Sequence, residues 1–224
     1  EEDFRGEKFK NISGQMKGNN DILCLTRPDV IQDIHRRYLE AGADIIESNT
    51  FSSNAVSMED YHVENYVTEI NTAGVRLARE MADKYTVITP NKPRFVAGSI
   101  GPTNKTTSMS PDVNNPAYRA LTFDQLAAAY EEQETAMLKA GVDALLIETI
   151  FDSLNAKAAI YAADKAMKRT GITVPVMLSV TVADKGGRTL SGQTLDAFLA
   201  SVQNADIFSI GLNWSFGVAQ LKPF

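Results

Sequence analysis

One joint recurs along this chain and restricts its fold more than any other feature. Ala41-Gly42-Ala43-Asp44-Ile45-Ile46 is matched by Ala140-Gly141-Val142-Asp143-Ala144-Leu145 and echoed by Asn204-Ala205-Asp206-Ile207. In each copy a helical pattern ends, a short polar turn follows, and an apolar extended run begins. Glycine supplies the left-handed closing residue in the first two copies. Repeated helix-to-strand joints build parallel sheets, either as a (β/α) barrel or as a doubly wound sheet.

The rest of the chain is consistent with this. A first helix opens at Thr26-Arg27-Pro28-Asp29, read as a threonine cap, a proline in the first turn and an acid at the capping-box position. Val30, Ile31, Ile34, Tyr38 and Leu39 form its apolar stripe, and Gly42 ends it. Asp44–Phe51 reads as a strand, Glu64–Lys84 as a helix with Val67, Ile70, Leu77 and Met81 on one face, and Arg94–Ile100 as a strand. Thr122, with Gln125 three residues on, caps a helix that stops at Gly141 and feeds the strand Ala144–Thr149. Ser153–Thr170 is a helix closed by Gly171, followed by the strand Pro175–Thr181, a short helix Leu195–Gln203 and the strand Ile207–Asn213. The strand interiors are mostly apolar, as in strands buried on both faces.

Two observations favour the barrel. No strand leads into a G-x-G-x-x-G turn, and polar residues collect at the C-terminal ends of the strands: Ser48, Asn49 and Thr50; Ser99; Glu148 and Thr149; Ser179 and Thr181; Asn213. Barrel active sites are built at that end. A closed (β/α)8 TIM-type barrel takes eight strands and about 250 residues. Five strands are legible here and residues 1–25 hold none, so residues 1–224 read as one partial barrel domain.

Composition removes several functional classes. The chain has 224 residues with 22 basic and 28 acidic side chains, a net charge of −6. The basic residues are scattered rather than striped, which argues against nucleic acid as a partner. No apolar run approaches the roughly 18 residues of a membrane span. A single cysteine, Cys24, excludes an internal disulfide and a multi-cysteine metal site within the chain, and suits a reducing, cytoplasmic setting. Cys24, between Leu23 and Leu25, reads as a small buried hydrophobe, and His35 as a helix residue packed beside the apolar stripe. His62 follows Tyr61 in a loop, and neither histidine has a recognisable triad partner.

Glu148 is the foremost candidate, because it ends the apolar run Leu145-Leu146-Ile147, where an unpaired carboxylate is costly. It either binds a substrate or pairs with a lysine or arginine of a neighbouring helix. Ser48, Asn49 and Thr50 sit where they can bond a ligand or anchor the following loop. Ser99 and Thr181 are pocket candidates, and Glu47 reads as a buried structural partner. The loop from Gly101 to Pro116 is long enough to form a functional rim. Lys105 and Lys185 raise the possibility of a Schiff-base aldolase, but both lie in polar turns rather than in the apolar strand interiors that such a lysine needs. Lys185–Thr194 is rich in donors and reads as an anion cradle or an ordered rim turn.

Several stretches together resemble one family. They are Asp3-Phe4-Arg5-Gly6, Lys17-Gly18-Asn19-Asn20-Asp21, Ala41 to Phe51, Val96 to Lys105, Ile147 to Asp152, Gly187 to Thr194, and Gly211-Leu212-Asn213. In this order they resemble the homocysteine-binding barrel at the N-terminus of cobalamin-dependent methionine synthase. The resemblance implies strands two to six of that barrel. It also implies homocysteine as substrate, methyl transfer from methylcobalamin to the homocysteine thiol, and folate and cobalamin modules as partners in the same parent chain. It places Glu148 on the amino group of homocysteine, with Ser48, Asn49, Thr50, Ser99 and Asn213 around the substrate.

The family binds zinc through three cysteines, the first directly after Gly-Leu-Asn. Here that position is Trp214, and the other two have no counterpart. Zinc is therefore expected in the family but not on this chain, since an indole offers a metal no lone pair. The chain alone is expected to be inactive. The alternative is a silent binding or structural barrel that has lost its metal.

Overall fold

The computed structural model describes residues 1–183 and 186–213 together with 217, 219 and 222. Its helices are α1 (Glu2–Arg5), α2 (Leu23–Thr26), α3 (Pro28–Glu40), α4 (Ala55–Met58), α5 (Val67–Ile88), α6 (Phe123–Ala140), α7 (Ser153–Thr170) and α8 (Leu195–Val202). Its strands are β1 (Ile45–Glu47), β2 (Phe95–Ile100), β3 (Ala144–Ile150), β4 (Val176–Thr181) and β5 (Ser209–Asn213). They form one sheet in the order β1-β2-β3-β4-β5, with every pair parallel.

This order dictates the architecture. Parallel neighbours joined in sequence by right-handed crossovers put every connecting helix on the same face of the sheet. A doubly wound sheet is thereby excluded, and the five strands curl into a half-barrel, an incomplete (β/α) barrel. Burial follows the pleat. Ile46, Val96, Ile100, Leu145, Ile147, Val176, Leu178 and Val180 face the helices and are buried in one core with α5, α6 and α7. The expectation that strands are buried on both faces holds along most of β2, where Ala97 and Ser99 are buried on the concave face, and fails at Ile45, which is 49% exposed, and Phe95, which is 44% exposed. The sheet does not close over that face among the described residues.

The local signals explain where elements begin and end. Thr122 accepts from the Gln125 N–H while the Gln125 side chain accepts from the Thr122 N–H, a complete capping box for α6. Gly141 (φ 100°) and Gly171 (φ 70°) close α6 and α7 in the left-handed conformation. Thr26 does not cap α3 as expected. It is the last residue of α2, and its hydroxyl donates back to the Ile22 carbonyl. Arg27 takes the cap position and is held by a bidentate pair with Asp29.

Residues 1–26 form a second small core. Phe9, Met16 and Ile22 pack with Met58, Val63, Val67 and Ile70. Arg5 ties this segment together by donating to the carbonyls of Phe9 and Ile12.

Gly101 marks a close approach at the end of β2. An added Cβ would lie 2.7 Å from the Phe51 ring carbons and also from the Phe51 carbonyl oxygen. The Gly101 N–H donates to that same carbonyl at 2.8 Å, and its own carbonyl accepts from the Tyr130 hydroxyl. A backbone oxygen cannot swing aside like a side-chain tip. Gly101→Ala is therefore expected to cost about 2 kcal/mol, seen as a lower urea midpoint with an unchanged slope. An unchanged midpoint would show that this approach is not tight.

Candidate functional site

The C-terminal ends of the strands gather at one rim, and the polar residues there fall into two groups. The first lies around a cavity of about 480 Å³ that wraps the free edge of β1. Its walls include Ile34, His35 and Tyr38 from α3, Ile45 and Glu47 from β1, Ser48, Asn49 and Phe51 just beyond it, Ser99 from β2 and Glu148 from β3. Asp44–Phe51, read as one strand, is strand only over Ile45–Glu47. The Thr50 N–H turns back to the Ser48 carbonyl, so Ser48, Asn49 and Thr50 lie on a turn.

Glu148 is half-buried on the concave face, and its Oε1 accepts from Ser99 Oγ at 2.5 Å. Burial raises its pKa above the usual carboxylate value, and the Ser99 hydroxyl opposes that rise. Among the described residues no lysine or arginine pairs with it, so the ion-pair reading of this residue has no partner there. Glu47 is not the buried partner expected from sequence. It is exposed on the concave face and lines the same cavity, because the pleat that turns Ile46 into the core turns Glu47 out. Its pKa is raised too, first by loss of surrounding water and then by the Glu148 charge.

Three predicted residues do more anchoring than lining. Asn49 touches the cavity, but its amide donates to the Asn20 carbonyl, holding the segment before α2. Ser48 bonds Thr50 through its hydroxyl and accepts from the Ser99 N–H. Thr50 is fully buried outside the cavity wall, donating to the Ser99 carbonyl and receiving Gln133 on its own carbonyl.

The second group centres on Asn213. Its Nδ2 donates to Ser179 Oγ and Thr149 Oγ1, and its Oδ1 accepts from Thr181 Oγ1. Thr149 has φ 55°, a left-handed conformation that is an outlier for a β-branched residue and costs of order 1–3 kcal/mol. The sequence offered no signal for this, since threonine is a good strand former.

The remaining candidates have ordinary partners. Lys105 pairs with Glu59, and the Gly101–Pro116 loop is pinned to the start of α7 through Asp152 and Asn155. In the Lys185–Thr194 turn the N–H groups of Thr189, Ser191, Gly192 and Gln193 are engaged in bonds within the protein. Lys185 and Trp214 lie outside the described residues. His62 is exposed.

The described residues do not fit a zinc ion: no group of three or more histidine, cysteine, aspartate or glutamate side chains converges. Burial pushes the Cys24 thiol up to about 12, and Cys24 donates to the Asn49 carbonyl. Burial also pushes His35 down to about 4, and its Nε2 has no partner among the described residues. Zinc needs three or four deprotonated ligands in one small volume. Metal analysis of the purified chain after mild chelation should therefore find well below one zinc per chain. One zinc retained, and lost together with homocysteine binding, would overturn this.

A parallel half-barrel with a polar rim at its strand ends places the chain in the (β/α) barrel class. A family model described as homocysteine S-methyltransferase matches residues 2–224, and the chain belongs to that family. In fold it is similar to the homocysteine methyltransferase MmuM from Escherichia coli. The metallated form gives a TM-score of 0.70 at 19% identity, covering 85% of this chain and 65% of that one. The oxidised form gives 0.70 at 20%, covering 85% and 64%. The chain thus spans just under two thirds of the length of MmuM.

Proposed function

We propose that this chain is the homocysteine-binding part of a cobalamin-dependent methionine synthase, with Glu148 receiving the substrate ammonium. The observation that carries the reading is the Glu148 carboxylate: half-buried, on the cavity wall, bonded by Ser99 and without a cationic partner among the described residues. A carboxylate in that state gains most from a ligand that brings its own positive charge. The amino group of homocysteine is such a charge.

The cobalamin part rests on the ordered stretches from Asp3 to Asn213 that resemble that enzyme's N-terminal barrel. The folate and cobalamin modules would then belong to the same parent chain, and the lone cysteine supports a reducing, cytoplasmic setting. Apolar walls from Ile34, Tyr38, Ile45 and Phe51 suit the methylene arm of the substrate, and the Ser99 hydroxyl favours the ionised form of Glu148 against the effect of burial.

The test is to supply the protein that carries this chain with homocysteine and methylcobalamin. Methionine is expected to appear as the alkylcobalamin absorbance is lost. Methionine formed only from another methyl donor would overturn the cobalamin part and leave the substrate. Absence of homocysteine binding would overturn both.

A further inference from the structure

The pleat is broken at one place in the sheet, directly at Glu148. On β3 and β4, Ile147 pairs with Leu178 and Ile150 pairs with Val180. Glu148 and Thr149 therefore stand opposite a single residue, Ser179. This is a bulge, uncommon between parallel strands, and bulges beside active sites re-aim side chains. Strict alternation would turn Thr149 toward the helices and Ile150 toward the concave face. Instead Ile150 is 4% exposed in the core, and Thr149 is left-handed at φ 55°.

We infer that Thr149 and Asn213 are positioning residues for Glu148, an inference that rests on the substrate reading above. Two forces hold the bulge. Burial of Ile150 fixes the chain after it, and the Asn213 amide reaches from β5 across β4 to Thr149 Oγ1, bonding Ser179 and Thr181 on the way. Ser99 then fixes the Glu148 carboxylate from the other side. Removing the amide frees Thr149 to relax toward ordinary strand angles, which moves the adjoining peptide and the carboxylate it carries. Asn213 thus acts through Thr149, with no contact to the ligand required.

The test compares two ligands on the intact protein by calorimetry: homocysteine, and 4-sulfanylbutanoate, which lacks only the amino group. The wild type is expected to prefer homocysteine by at least about tenfold. Asn213→Ala and Thr149→Val, which keeps the β-branched strain but removes the bonding oxygen, should each reduce that preference by about fivefold or more through homocysteine alone, leaving the 4-sulfanylbutanoate affinity within about twofold. Thr149→Asn, which tolerates the left-handed conformation and keeps a bonding side chain, should restore most of the preference.

A preference that survives both substitutions overturns this inference while leaving the substrate reading intact. Equal loss of both ligands also overturns it, because that marks a general structural role. A wild type without any preference overturns the substrate reading, and this inference with it.

Discussion

Glu134→Gln is expected to stabilise the protein at neutral pH and to flatten its stability profile above about pH 6.5. Glu134 lies in α6, is fully buried, and neither carboxylate oxygen has a hydrogen-bond partner among the described residues. Burial first, and the neighbouring Glu131 second, push its pKa well above the usual value. The Glu131 charge is itself met by Lys165 and Arg169 from α7. The other titratable neighbour, Tyr130, keeps its proton because burial raises its pKa as well.

The folded protein therefore keeps a proton on Glu134 that the unfolded chain releases near the ordinary glutamate value. Where the folded state binds more protons, stability falls as pH rises, by about 1.4 kcal/mol per pH unit for one group, until the folded pKa is passed. Two other groups titrate lower down. Burial holds the Asp21 carboxyl up at about 6, which gives the same sign of slope only below that pH. The depressed His35 loses stability as pH falls below its unfolded value of roughly 6.5. Above about pH 6.5 both are silent, but the raised carboxyls of Glu47 and Glu148 and the buried Cys24 thiol act with the same sign as Glu134, so the difference in slope between wild type and the glutamine variant reports Glu134. Denaturant unfolding at several pH values between about 6.5 and 8 checks this. A wild-type profile already flat in that window, or one that the glutamine variant shares, would sink it.

Features that act within a few residues were legible before the fold was known. The Thr122/Gln125 capping box and the closing glycines Gly141 and Gly171 each need only their own turn of helix, and they set α6 and α7 to the residue. The strand order followed from chain order, because consecutive right-handed crossovers leave a parallel sheet little choice. What the sequence hid depends on neighbours distant along the chain. An apolar strand reads the same whether its second face is covered or open, so the exposure of Ile45 and Phe95 could not be foreseen. Glu47 reads as buried for the same reason, since its burial depends on closure of the sheet rather than on β1.

The candidate site divides in the same way. Glu148 stood out as a charge in an apolar run, a local contradiction, and it does lie on the cavity wall. Thr50 looked equivalent to Asn49 in sequence, but the turn at Ser48 sends one into the core and leaves the other at the cavity edge. Thr149 is the clearest case. Its strain arises from the mismatch between β3 and β4 and from an amide 64 residues away, and neither is written near it.

Glu148→Gln is expected to weaken homocysteine binding by about thirtyfold or more, equivalent to roughly 2 kcal/mol, with the fold intact. Glutamine keeps the volume and the contact with Ser99 but removes the charge that we propose receives the substrate ammonium. The pH profile distinguishes this from a loss of shape. An ammonium is held by the ionised carboxylate, so wild-type affinity should climb with pH as Glu148 loses its proton. That climb should continue above the ordinary carboxylate range, because burial raises the pKa. The glutamine variant should lack the climb altogether. Ser99→Ala supplies the opposite check: the hydroxyl favours the ionised form, so its removal should move the rising limb to higher pH without abolishing it. Calorimetric titration of homocysteine across pH reads all three. A glutamine variant that binds as the wild type does, with the same pH dependence, would remove Glu148 from the substrate.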